Sequence, residues 1–264
     1  MGVEQVFMDH FTRAKDYARE KQTNPNVRRD LELDALAEII NKDRFITCHS
    51  YVQSEINMLM HVAEQFNFNV NTFTHILEGY KVADKMKDHG VGGSTFADWW
   101  AYKYEVIDAI PYNAALLNEV GVVVAINSDD AEMGRRLNQE AGKVVKYGGA
   151  SEEDAWKMVT LNPAKLLHID DRVGSIRSGK DADIVVWSDN PLSVYAKAER
   201  TYVDGICYYD MKSDLENREN LKKERMRLIQ KMIAAKNSGA KTKKPVKKEQ
   251  HLYHCDDLHD YCAE

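Results

Sequence analysis

The sequence predicts an α/β chain: βα units around a parallel sheet, then a small β module and a charged helical tail. Three observations carry that reading. From Arg44 to about Tyr147, short β-branched runs alternate with helical patterns. The polar residues that close those runs recur at a near-constant interval. Beyond residue 172 the alternation gives way to strands with no helix between them.

Each element has a local reason. The first residues, VEQVFMDHFTRAKDY, form a charged amphipathic helix with no signal-like apolar stretch. RFITCHS is a strand running into a polar end. SEINMLMHVAEQF then places Ile56, Leu59, Met60, Ala63 and Phe66 on one helical face. NVNTFTH is the next strand, and VADKMKDH is a helix that Gly90 can stop in the left-handed conformation. A further strand falls near Gly92–Thr95. Pro111 suits a first helical position and Gly121 a C-terminal cap. VVVAIN, almost wholly apolar, reads as a buried strand.

Ser151 with Asp154 makes a capping-box-like start, and Asn162-Pro163 opens a helix through Leu167. DADIVVWS and TYVDGICYY are strands, with Asp204-Gly205 as a hairpin-turn signal. A charged helix over about Asp214–Lys236 and a Lys-rich linker complete the chain. The expected domains are residues 1–171, the (β/α) portion; 172–210, the β module; and 211–264, the charged helix and tail.

Composition narrows the function. With 264 residues and 44% apolar content the chain can bury a sizeable core, and no run approaches the roughly 20 apolar residues a bilayer span requires. Residues 211–264 carry 13 Lys/Arg and 9 Asp/Glu, so the remainder is strongly acidic within the overall charge of −6, which argues against a nucleic-acid groove. Cys48, Cys207, Cys255 and Cys262 are too sparse for a disulfide framework. The compartment stays open, with the cytoplasm as default.

The polar strand ends point to chemistry. His49 follows RFITC, His75 follows NTFT and Asp129 follows VVVAINS. The first pair lies 26 positions apart and the second 54, two units of 27 with one strand between. A βα unit of constant length puts all three at one face, the C-terminal rim in a (β/α) barrel. Two imidazoles and a carboxylate there suit a divalent metal such as Zn²⁺. Each His alone is more often structural; the shared register is the argument. His10, His61, His89 and His168 read as surface or capping residues. Asp130 and Glu78 either orient a ligand from behind or face solvent. Trp99, Trp100, Tyr102 and Tyr104 form either an aromatic wall or packing against the barrel. His251, His254, Cys255 and His259 offer donors for a zinc site or dock on the body.

LNPAKLLHIDDRVGSIRSGKDADIVVWSDNPL (161–192), with ITCHS, FTHILEGY and AINSDD, resembles the C-terminal half of an amidohydrolase-superfamily enzyme of the imidazolonepropionase-like kind, over residues 1 to about 210. The resemblance implies a partial TIM-like (β/α) barrel with a small β-sandwich module. It further implies a metal-dependent hydrolase of C–N bonds in an amide or cyclic amide. In it His49 looks like a metal ligand, His75 like a second ligand or a polariser of the substrate carbonyl, and Asp129 like the metal-linked general base. Zn is the best-matching cofactor and a small-molecule amide the implied substrate. The superfamily's first strand carries an H-x-H pair, and no H-x-H occurs in these residues. The expectation is therefore a fragment, inactive alone, completed by a missing N-terminal half, or a homo-oligomer. The alternative is a non-catalytic remnant or interaction subunit.

Overall fold

A computed structural model describes residues 2–99, 101, 103–241, 243 and 246. The described chain divides into two compact units, 1–175 and 176–264. No helix among the described residues is long and apolar enough to cross a membrane.

The first unit opens with helices α1 (Gly2–Thr23) and α2 (Leu31–Ile40), which pack on each other. Phe11, Ala14 and Tyr17 recur every three residues along α1 and are its buried face. The Asp30 carboxylate caps α2 by accepting from the Glu32 and Leu33 backbone amides at 3.0 and 3.1 Å.

A parallel sheet of order β1-β2-β3-β4 follows, built from β1 (Thr47–His49), β2 (Thr72–Thr74), β3 (Gly92–Thr95) and β4 (Val124–Ile126). Among the described residues β1 and β4 each have one neighbour, so the sheet is open and no closed barrel is seen.

The connections are helical: α3 (Gln53–Gln65), α4 (Ala83–His89) and α5 (Asn113–Val120). The predicted α3 face is the buried one, with Ile56, Leu59, Met60, Ala63 and Phe66 all in the core. Gly90 and Gly121 end α4 and α5 at φ of 80° and 96°, the left-handed conformation expected of them. Pro111, expected at a first helical position, instead precedes the Tyr112 cap of α5.

After β4 come α6 (Ala131–Gly134), α7 (Leu137–Gly148), α8 (Glu152–Lys157) and α9 (Leu161–Leu166). Ser151 caps α8 as the sequence predicts, its hydroxyl accepting from the Asp154 amide at 3.0 Å and donating to the Asp154 carboxylate at 2.8 Å. Between sheet and helices lies one apolar core containing Phe73, Ile76, Met86, Leu117 and Val124, each worth about 1.5–3 kcal/mol of burial.

The second unit contains β5 (Ile184–Trp187), β6 (Ala198–Val203) and β7 (Ile206–Asp210), an antiparallel sheet of order β5-β6-β7, followed by α10 (Met211–Asn237). Asp204 and Gly205 make the predicted hairpin turn with φ of 51° and 77°. The expected β-sandwich is, among the described residues, a single three-stranded layer. The Asp210 side chain starts α10 by accepting from the Lys212 and Ser213 amides, and none of the residues of α10 is buried. The His251, His254, Cys255 and His259 cluster, and part of the Lys-rich linker, lie outside the described residues.

Candidate active site

Parallel pairing sets the geometry. His49 is opposite Thr74, Thr74 is opposite Ser94, and Thr95 is opposite Ile126, so residues just past each strand end gather at one face of the sheet. The ladder continues a little beyond the strands. The Ser50 amide donates to the Thr74 carbonyl at 3.1 Å, the Ile76 amide to Ser94 at 3.2 Å, and the Asn127 amide to Thr95 at 3.1 Å.

The three residues singled out by spacing meet at this rim. The His49 and His75 rings lie edge to face with centroids 4.2 Å apart. His75 Nε2 is 3.3 Å from Asp129 Oδ1. His75 sits at φ 63°, a left-handed conformation that a side chain with a Cβ adopts at a cost of order 1 kcal/mol. That backbone turn carries its ring off the strand and towards Asp129.

Asp129 is presented by a tight turn. Ser128 and Asp130 exchange hydrogen bonds at 3.0 and 3.2 Å around it, and Asp130 caps α6 by accepting from the Glu132 and Met133 amides. Asp130 therefore does not simply face solvent: its carboxylate is the cap of α6.

Burial holds the His75 imidazole below its usual range, with the neighbouring His49 and Lys103 charges acting in the same direction and Asp129 opposing them. A neutral ring results, with lone-pair nitrogen available at neutral pH. Its Nδ1 is buried and has no hydrogen-bond partner among the described residues.

Around these groups is an apolar collar that sequence reasoning saw only in part. Phe96 lies 5.1 Å from the His75 ring and stacks on Trp99 at 4.4 Å and 9°. Leu77, Phe96 and Val106 form a small buried cluster beneath, with Tyr51 and Trp99 packed against it. Tyr104 is 85% exposed and takes no part in a wall, while Trp100 and Tyr102 lie outside the described residues. Tyr51 stands edge-on to His49 at 4.8 Å and 6.1 Å from His75, and Lys103 Nζ donates to its hydroxyl at 2.9 Å. Sequence reasoning missed Tyr51, Phe96 and Lys103. The first two follow strand ends by only a residue or two, and that placement was the available signal. Lys103 gave none.

Two further expectations are corrected. Glu78 neither faces solvent nor orients a ligand at the rim: it is 5% exposed and its carboxylate accepts from the Gln53 amide at 3.0 Å, capping α3 from another unit of the sheet. His89 is buried rather than superficial, accepting from the Val70 amide at 3.2 Å and meeting Glu64 at 3.1 Å.

The donor types at the rim, two imidazoles and a carboxylate beside an orphaned buried ring nitrogen, match the chemistry of a divalent metal. Among the described residues, however, no three His, Cys, Asp or Glu side chains are grouped so as to hold a metal by themselves.

Comparison with known proteins follows the same lines. Residues 57–207 match the model of the Amidohydrolase family. The amidohydrolase TasK of Hapsidospora irregularis is 28% identical over 186 residues, covering 69% of this chain and 19% of that protein. The imidazolonepropionase of Picrophilus torridus is 29% identical over 91 residues, covering 34% of this chain and 22% of that protein. The crystal structure of an amidohydrolase from Thermotoga maritima superimposes with a TM-score of 0.72 at 30% identity, covering 80% of this chain and 56% of that one. An adenosine deaminase from Xanthomonas campestris, solved with bound zinc, shares the fold at a TM-score of 0.52 and 16% identity, covering 77% of this chain and 56% of that one. The chain thus spans about half of those solved proteins and about a fifth of the curated relatives.

Proposed function

This chain belongs to the amidohydrolase family, and on that premise we propose that it carries half of the active site of a metal-dependent hydrolase acting on a C–N bond of a linear or cyclic amide. The observation supporting this most directly is the convergence of His49, His75 and Asp129 past the ends of β1, β2 and β4.

His49 and His75 would hold a divalent cation through nitrogen and Asp129 through oxygen, with Zn the best match. Once bound, such an ion supplies Lewis acidity and makes hydroxide available near neutral pH. The chain's own residues do the proton work. Asp129, 39% exposed, takes a proton from the water that attacks the amide carbon and delivers it to the nitrogen as the C–N bond breaks. His75, kept neutral, either completes the ligand set or polarises the substrate carbonyl. The Phe96–Trp99 stack limits water at the rim.

With no H-x-H in the sequence, the remaining ligands come from residues outside this chain. The chain alone then has little activity. The test is metal content and amide hydrolysis of the purified chain, alone and joined to a preceding in-frame segment that carries an H-x-H. Metal and turnover only in the joined protein are expected. Stoichiometric zinc and turnover in the chain alone would overturn the incompleteness, and neither property in either form would overturn the hydrolase.

A second reading, a non-catalytic remnant or interaction subunit, is favoured by the lack of a three-donor group among the described residues. In the joined protein Asp129→Asn separates the two. A fall in turnover of about 10²–10⁴ fits a proton-transfer role, and no change fits the remnant.

A further inference from the structure

We propose that α10 and the lysine-rich stretch after it form a docking surface for an anionic lipid membrane, the helix lying in the plane of the headgroups rather than crossing the bilayer. The inference is independent of the hydrolase reading and concerns a different part of the chain.

Two observations on one helix carry it. The first is an uncovered apolar face. Leu221, Leu228 and Met232 recur at seven and four positions, and Met226, Ile229 and Ile233 at three and four, which sets six aliphatic side chains on one side of the helix. None is buried, and Leu221 and Met232 are 67% and 63% exposed. The second is charge. From Lys222 to Lys248 the sequence holds eleven Lys/Arg and one acid, Glu224, in a protein whose overall charge is −6. Asp214, Glu219 and Glu224 are taken up along the helix by Arg218, Lys222 and Arg227 at 2.6, 2.6 and 2.7 Å, which leaves Lys223, Arg225, Lys231 and Lys236 with no acid partner among the described residues.

The combination selects the partner. An aliphatic face sinks into the boundary between headgroups and acyl chains, while the basic residues beside it meet lipid phosphates and carboxylates. Arg225, four positions from both Leu221 and Ile229, can lay its stem among them and reach the headgroups with its guanidinium. The same stretch of a second copy, laid on this face, would set Arg225 and its flanking lysines against their own kind. A groove on an acidic protein reads side chains at fixed positions, but here the basic run continues past Asn237, where the helix and its spacing end. A lipid surface needs only the density of charge. Nucleic acid would leave the aliphatic face in water, and no Phe, Tyr or Trp stands between Met211 and Lys248 to stack on a base.

The test is sedimentation of the full chain, at low micromolar concentration, with vesicles of phosphatidylcholine alone and of phosphatidylcholine mixed equally with phosphatidylserine. Binding to the mixed vesicles only is expected. It should weaken about fivefold for each basic residue removed in Lys223→Gln and Lys231→Gln, and about tenfold or more when Ile229→Asn and Ile233→Asn are combined. Because no residue of α10 is buried, these variants keep the native melting temperature, which is measured alongside. No binding to either vesicle, or equal binding to both, would overturn the proposal. So would unchanged binding by the folded double Ile variant, which would make the contact one of charge alone. Self-association without vesicle binding, lost in that same variant, would assign the face to a second copy, and tighter binding of duplex DNA than of the mixed vesicles would assign the basic run to nucleic acid; either result also overturns it.

Discussion

His75 shows how a single residue records a functional constraint. It combines a left-handed φ of 63° with a buried Nδ1 that has no partner among the described residues, and each is a cost that packing alone would remove. Asn tolerates the left-handed conformation far better than Ala, so His75→Asn is expected to melt above His75→Ala by the equivalent of about 0.5–1 kcal/mol, with both inactive in the joined enzyme. Calorimetry of the two variants checks the order; equal or reversed melting points would remove the strain argument. A second residue-scale prediction concerns acid. Lys21 and Arg29, at 2.7 and 2.8 Å, and then the Tyr17 hydroxyl at 2.9 Å, hold the Asp34 carboxyl well below the usual carboxylate range. A depressed folded pKa contributes stability that is fully present above the unfolded value of about 3.9 and is lost as pH falls towards the folded one. Asp34→Asn should therefore lower stability at neutral pH, and its deficit against the native chain should shrink as pH drops below about 4. A deficit independent of pH in urea titrations at several pH values would contradict the charge account.

At the scale of elements, the tight contact between α5 and α7 decides more than propensity does. A Cβ built on Gly148 falls 2.4 Å from the Cβ of Ala115, a distance no real pair shows, and neither atom can move without its helix. Gly148→Val is expected to cost about 1–3 kcal/mol, and Ala115→Gly in the same chain should recover part of it. Failure of the double variant to recover anything would place the fault elsewhere. Helix α3 was legible because its apolar residues recur at helical spacing, and the caps at Gly90, Gly121 and Ser151 were legible because backbone sterics and a side-chain acceptor act within a few residues. Helix α7 went unread for the converse reason: it buries Asn138 and Glu140 beside Ala141 and Val144, so its covered face carries polar residues that periodicity cannot recognise.

For the molecule as a whole, the open parallel sheet is the dominant fact. With β1 and β4 each paired on one side among the described residues, the outer row of β1 is left to other partners, whereas on β4 the Ile126 amide donates to the Met158 carbonyl at 2.9 Å and the Val124 carbonyl accepts from the Asn162 side chain at 2.8 Å. Sedimentation velocity is expected to show the isolated chain associating at high micromolar concentration, and a strict monomer there would show the β1 edge to be protected. The order of strands and helices, the interval between His49, His75 and Asp129, and the hairpin at Asp204-Gly205 were determined by the sequence itself, because periodicity, turn chemistry and a repeating βα length are local properties that the chain cannot hide. The role of Glu78 as a cap for α3, the burial of His89, the single-layered β module, and the placing of Lys103 on Tyr51 beside His49 were decided only in tertiary structure. Each depends on which distant side chain arrives at the same point in space, and the energy of that meeting belongs to the pair rather than to either stretch of sequence.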